Sequence, residues 1–254
     1  MRFAVIGDSF TEGVGDPLPD GSVRGWADVV AAGLAASSPD PVWYANFAVR
    51  GRLLEPIATD QLDAALALNP PPDVVTFNGG GNDMLRSGWD SATIAAYVGR
   101  VATRTAEAGV RLVVLSGPDP TERLPRGRVF AERASDLMVI VDELTAAHAH
   151  VVYVDNYRDA EMRRAAYWSP DRLHLSPLGH ERVAARVLTA LGVPKPLPQA
   201  ASEDPPPPGL IDEAAYAGRY LVPWFARRLA GRSSGDRRSA KFPDWTLVGE
   251  PAHR

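Results

Sequence analysis

The chain has 254 residues, 45% of them hydrophobic, enough to bury a core without covalent staples. It has no Cys, which excludes disulfides, thiolate metal sites and a cysteine nucleophile. Lys+Arg 27 against Asp+Glu 31 gives a net charge of −4, so there is no dominant nucleic-acid footprint, and no apolar run approaches the ~20 residues of a membrane-spanning helix.

The chain opens on an apolar run, Phe3 to Ile6, and turns polar at Gly7-Asp8-Ser9, too early for a secretory leader. A cytoplasmic protein without stable membrane insertion is expected. Four more short runs follow: Val42 to Phe47, Val74 to Phe77, Leu112 to Leu115 and Val151 to Val154. Each is nearly continuous and rich in branched and aromatic residues, the pattern of strands buried on both faces. Between them lie Ala-rich stretches with helical spacing: Trp26 to Ala36, Ile57 to Leu68, Ile94 to Ala108, Val129 to Ala149 and His180 to Leu191. Alternating strands and helices predict a three-layer α/β/α sandwich around a five-stranded parallel sheet in the flavodoxin-like order. This domain covers residues 1–193.

Composition changes beyond it. Residues 194–208 hold seven of the 23 prolines and read as a stiff linker. Residues 209–254 carry 8 Lys/Arg and 5 Asp/Glu, leaving −7 on the preceding 208 residues. A helix is expected from Glu213 to Leu229, interrupted at Pro223, and an irregular stretch from Gly231 to Arg238. Trp224, Phe225, Phe242 and Trp245 are unusual in a solvated tail. They predict an extension docked on the domain or on a second copy, which makes a homo-oligomer one expected partner. A basic segment, Arg227, Arg228, Arg232, Arg237, Arg238 and Lys241, reads as a solvated tail rather than a lipid or nucleic-acid surface.

A parallel sheet presents its chemistry at the carboxyl ends of its strands. After the first run, Ser9 stands where the chain leaves the strand, its hydroxyl a candidate nucleophile and its N–H a candidate oxyanion donor. The plainer reading is a polar turn with Ser as a helix cap. After the second run, Gly51 ends Asn46-Phe47-Ala48-Val49-Arg50-Gly51 and offers a second N–H, or simply a turn. After the third, Asn78-Gly79-Gly80-Gly81-Asn82-Asp83 lets backbone approach a ligand, and Asn82 offers a neutral amide donor. Neither the P-loop nor the dinucleotide fingerprint is present there. After the fifth, Asp171 and His174 stand three apart before a helix, a spacing that lets the carboxylate hold one imidazole nitrogen while the other acts as base. Taken alone, the Ser9 turn, Gly51 and the Asp171–His174 pair each read more readily as ordinary loop or surface features. Together they supply a nucleophile, a base, an orienting acid and oxyanion donors, the set for acyl transfer through a covalent intermediate. No metal or cofactor is called for: of the five His, only His174 and His180 lie close together in the Asp171–His180 motif, and no carboxylate cluster with ligand spacing surrounds them. His180 is expected on the last helix.

These blocks, Gly7-Asp8-Ser9, Asn46 to Gly51, Gly80-Gly81-Asn82-Asp83 and Asp171-x-x-His174, resemble the SGNH hydrolase superfamily of GDSL lipases and esterases over roughly residues 1–190. The resemblance implies Ser9 as nucleophile, His174 as base, Asp171 as its partner, and the Ser9 N–H, Gly51 and Asn82 as oxyanion donors. Phe10 stands where the family name has Leu. It also implies a small acyl ester as substrate, with short to medium chains expected. Phe10, Met84, Leu85, Trp89 and Trp168 are the candidates for lining an acyl pocket. The same residues would serve a thioesterase, a lysophospholipase, an acyltransferase or a carbohydrate acetylesterase, and a fold of this kind can also persist as an inactive binding module.

Overall fold

Branched and aromatic runs become strands where both faces are covered, and successive side chains then feed two cores. A computed structural model describes residues 1–124, 127–201, 204, 209–223, 235–236 and 238–249. The strands are β1 (Arg2–Ile6), β2 (Trp43–Asn46), β3 (Val74–Phe77), β4 (Arg111–Leu115), β5 (Val151–Val154) and β6 (Phe242–Leu247). The helices are α1 (Ser9–Glu12), α2 (Trp26–Ser37), α3 (Leu54–Pro56), α4 (Leu62–Leu66), α5 (Gly81–Met84), α6 (Ser91–Glu107), α7 (Gly127–Ala147), α8 (Pro177–Ala190) and α9 (Leu210–Tyr216).

The five predicted strands pair in parallel in the order β2-β1-β3-β4-β5, as the flavodoxin-like reading expects. The sheet has six strands rather than five: β6 adds antiparallel to β2, with Trp43 opposite Leu247 and Tyr44 opposite Thr246. Its sequence hides it, because Pro243 and Asp244 are poor strand formers tolerated only at an edge. There β6 covers the ladder that β2 would otherwise present to solvent.

Alternation along the strands separates the two cores. Phe3, Val5, Val113 and Leu115 face α2 and α8, while Ala4, Ile6, Leu112 and Val114 face the layer of α4, α6 and α7. Caps fix where helices begin. The Asp90 carboxylate accepts from Thr93 N at 2.9 Å, so α6 starts at Ser91, three residues before its first apolar anchor, Ile94. Ser176 caps α8 with Pro177 at its first position.

After β1 the chain first adds β2 on one side and then crosses to β3 on the other. Loops leaving β1 and β3 therefore diverge and open a crevice at the strand ends. Among the described residues no helix is long and apolar enough to cross a membrane.

Beyond the domain, α9 runs into a π-helical turn, Ala217–Leu221, and remains helical to Pro223. The helix predicted onward to Leu229 lies outside the described residues. So do the proline run 205–208, Trp224, Phe225, Arg227, Arg228, Arg232 and Arg237. Phe242 and Trp245 both lie on β6: the Phe242 ring meets Tyr44 at 5.7 Å, and the Trp245 indole donates to the Pro70 carbonyl at 2.9 Å.

Candidate active site

The turn leaving β1 is held from the core. The Gln61 side chain accepts from Gly7 N at 2.8 Å and donates to Gly7 O at 3.0 Å, both bonds buried. Gln61 reaches inward from a π-helical segment, Ile57–Gln61, between α3 and α4. A Cβ on Gly7 would lie 2.4 Å from Thr11 Oγ1, so only glycine lets α1 fold back this tightly. Asp8 then caps α1, its Oδ1 accepting from Phe10 N at 3.1 Å. Ser9 is the first residue of α1, and its N–H has no acceptor among the described residues.

The loops after β2 and β3 are stitched to this turn. Arg50 donates to the buried Glu12 carboxylate from its main chain (2.6 Å) and from its guanidinium (2.9 and 2.5 Å). Gly51 follows with φ +77°, a backbone that favours glycine. Asp83 Oδ2 accepts from Leu54 N at 3.0 Å. The Asn82 amide donates to Asp8 Oδ2 at 3.0 Å and to the Arg52 carbonyl at 2.9 Å. Asp8 is thus closed in by protein, and burial pushes its carboxyl up to about 6 against the pull of Phe10 N–H, His174 and the Asn82 amide.

The Asp171–His174 turn is made differently, by local hydrogen bonds in an irregular stretch before α8. Asp171 Oδ1 accepts from Ser169 Oγ (2.6 Å), Leu173 N (3.0 Å) and His174 N (2.9 Å). Its Oδ2 lies 2.5 Å from His174 Nδ1. Burial alone would raise the Asp171 carboxyl, but the His174 ring and these donors outweigh it and hold the group well below the usual carboxylate range. Ionised Asp171 fixes Nδ1 as the protonated nitrogen and leaves Nε2 as an acceptor.

Asp8, Ser9, Phe10, Asn82, Met84, Leu85, Trp168 and His174 all border one cavity. Its volume is about 140 Å³, comparable to an apolar cavity that holds a benzene-sized guest. Two expected residues are placed elsewhere. Gly51 is not on the cavity wall but in the adjoining loop. Trp89 is not on the wall either: its indole donates to Asp136 Oδ2 on α7 at 3.2 Å. The deep wall comes instead from one face of α7 (Phe130, Ala134, Leu137, Val141) with Val98 and Val114. The spacing of those α7 residues reads in sequence only as a core-facing helix.

His180 lies on α8 as expected and is fully buried. Its Nδ1 accepts from Trp26 N at 3.2 Å, and Nε2 lies 3.2 Å from the Val14 carbonyl. Burial pushes its imidazole down to about 4, so it is a neutral tie between α2 and the loop after α1. Among the described residues no three His, Asp or Glu side chains form a metal-holding group.

Residues 5–182 match the model of the GDSL-like lipase/acylhydrolase family. Solved structures share the fold. A lipase/acylhydrolase from Enterococcus faecalis superposes with a TM-score of 0.57 at 24% identity over 79% of this chain and 99% of that one. The psychrotrophic esterase EstA from Pseudoalteromonas sp. gives 0.57 at 17%, over 75% of this chain and 96% of that one. Axe2, an acetylxylan esterase from Geobacillus stearothermophilus, gives 0.56 at 20%, over 75% of this chain and 94% of that one. No curated protein matches the chain.

Proposed function

The chain belongs to the GDSL-like lipase/acylhydrolase family, and on that premise we propose a serine esterase that cleaves carboxylic esters of short to medium acyl chains through an acyl-enzyme on Ser9. The observation that carries the reading is the 2.5 Å contact of His174 Nδ1 with Asp171, with Ser9 and His174 bordering one cavity. In this mechanism His174 Nε2 takes the Ser9 proton as Oγ attacks the ester carbonyl. Asp171 stabilises the imidazolium and keeps the tautomer. The oxyanion rests on the Ser9 N–H and the Asn82 amide, which turns part of its bonding from Asp8 and Arg52 toward the ligand, and the Gly51 N–H serves as third donor only if its adjoining loop moves in toward the cavity. His174 then protonates the leaving alcohol, and water repeats the steps to release the acid.

The cavity supports the choice of acyl group. Val98, Val114, Leu137 and Val141 suit an alkyl chain, whereas a sugar acetyl ester would call for a shallow site with polar contacts. The test is hydrolysis of p-nitrophenyl esters from acetyl to palmitoyl by wild type and Ser9→Ala. Wild type should favour chains of up to about eight carbons, given a benzene-sized cavity, and Ser9→Ala should lose at least about 10³-fold in kcat. Undiminished turnover by Ser9→Ala would end the serine mechanism, and a palmitoyl optimum would end the pocket assignment.

A further inference from the structure

Arg172 sits between the two halves of the acid–base pair with φ +58°, a left-handed backbone that side chains with a Cβ rarely adopt. Its main chain is tied within the turn, Arg172 N donating to Ser169 O at 2.9 Å. Its side chain is tied from outside the domain. The guanidinium donates to Glu213 Oε1 on α9 at 2.7 Å and lies 4.0 Å from the centre of the Tyr216 ring. Tyr216 also donates its O–H to the main-chain carbonyl of Asp171 at 3.1 Å. Glu213 and Tyr216 are three apart and so share one face of α9. That face grips the acid–base turn at three points.

The extension reaches the opposite side of the site as well. At Gly235 its backbone lies so close to the loop after β2 that a Cβ would stand 2.0 Å from the Arg50 carbonyl, one residue before Gly51. Arg238 approaches Glu12, the carboxylate that holds Arg50, at 4.0 Å.

We infer that the C-terminal extension is part of the catalytic apparatus, with Tyr216 and Glu213 acting as positioning residues that hold the Asp171–His174 turn against Ser9. This rests on the serine-esterase reading above. The physical reason is the weakness of the turn itself. A residue in the left-handed region relaxes toward the ordinary one unless its surroundings oppose it. Relaxation at Arg172 would swing the Asp171 carbonyl and carboxylate together, and with them the imidazole that must meet Ser9. An error of about 1 Å there costs rate without costing substrate affinity.

The experiment compares wild type, Tyr216→Phe, Tyr216→Ala and Ser9→Ala in the full chain on p-nitrophenyl butyrate. Thermal midpoints and the rate of Ser9 phosphonylation are measured alongside. Tyr216→Phe keeps the ring on Arg172 and loses only the O–H, so kcat should fall about fivefold, the scale of one neutral hydrogen bond. Tyr216→Ala should fall about 30-fold, having also lost the stack. In both, KM should stay within about twofold and phosphonylation should slow in step with kcat. Wild-type kcat in Tyr216→Phe, or losses that follow KM or the thermal midpoint instead of phosphonylation, would overturn the inference while Ser9→Ala remains inactive. An active Ser9→Ala would remove the serine reading and this inference with it. The mild Tyr216→Phe change keeps the test decisive even where Tyr216→Ala fails to fold.

Discussion

The two sides of the candidate site are built by opposite means. On the Ser9 side, the turn leaves a middle strand of the sheet and is fixed by one buried bond, Gln61 to Gly7, and by half-buried ones, Arg50 to Glu12 and Asn82 to Asp8. On the His174 side, the turn hangs on an irregular segment, held by its own carboxylate and by α9 of the extension. The carboxyls record the difference. Asp8 is pushed up by burial, whereas Asp171 is pulled down by the donors gathered round it. A nucleophile built on a strand end needs little further support, since the core over-determines it. A base carried on a loop needs polar contacts, and each of those can be removed with limited damage to the core.

If that contrast is right, the largest effect comes from Asp171→Asn. The substitution keeps an oxygen for the Leu173 and His174 N–H groups but places an amide donor where Nδ1–H needs an acceptor. The imidazole is then driven to the wrong tautomer, and kcat should fall by about 10³–10⁴-fold. Fold stability should drop by no more than about 2 kcal/mol. Steady-state kinetics and urea denaturation measure the two numbers. A stability loss equal to the rate loss would show that the turn supports the fold, and would break the contrast.

Asn82→Ala probes the other side and should give a smaller loss, about 10²-fold in kcat, the scale of one oxyanion donor. Here stability should suffer comparably, by about 1–3 kcal/mol. The lost amide takes the Asn82 donor from Asp8 Oδ2 and from the Arg52 carbonyl, leaving the buried Asp8 carboxylate with the Phe10 N–H on its other oxygen. Rate loss with full stability would mean that the Asn82 contacts with Asp8 and Arg52 do not hold the loop.

The same contrast explains what could be read from the amino-acid sequence. The five parallel strands and their order were legible because doubly buried strands are continuous apolar runs. The candidate-site blocks could be picked out because chemistry at strand ends calls for particular residue types, and the fold brings Ser9 after β1 and His174, three after Asp171, to one cavity. Gln61 was not: its role depends on a π-helical turn that no periodicity announces. Nor was β6, whose Pro243 argues against a strand, or the grip of α9 on Arg172, which joins residues 41 apart through side chains alone. Trp89 was misplaced because nearness to a motif in sequence says nothing of which way a side chain faces, and here it faces Asp136.

The smallest effect appears in stability and uses the two carboxyls directly. Asp8 has its folded-state value raised to about 6 from an ordinary 3.8. Its contribution is therefore fully present below pH 3.8 and is lost as pH rises to about 6, because the folded protein must then bury a charge. Asp171 has its value lowered, so its contribution is present above pH 3.8 and is lost as pH falls further. From these two groups alone, stability should peak near pH 4 and decline by up to about 2–3 kcal/mol toward pH 7. Asp8→Asn cannot titrate, so its urea-derived stability should lose that decline between pH 4 and 6. The slope is the diagnostic, since the altered bond with Asn82 shifts the level equally at every pH. Identical slopes in the two proteins would mean that Asp8 is not the buried, charge-averse group its surroundings describe, and the distinction between the two sides of the site would have to rest on geometry alone.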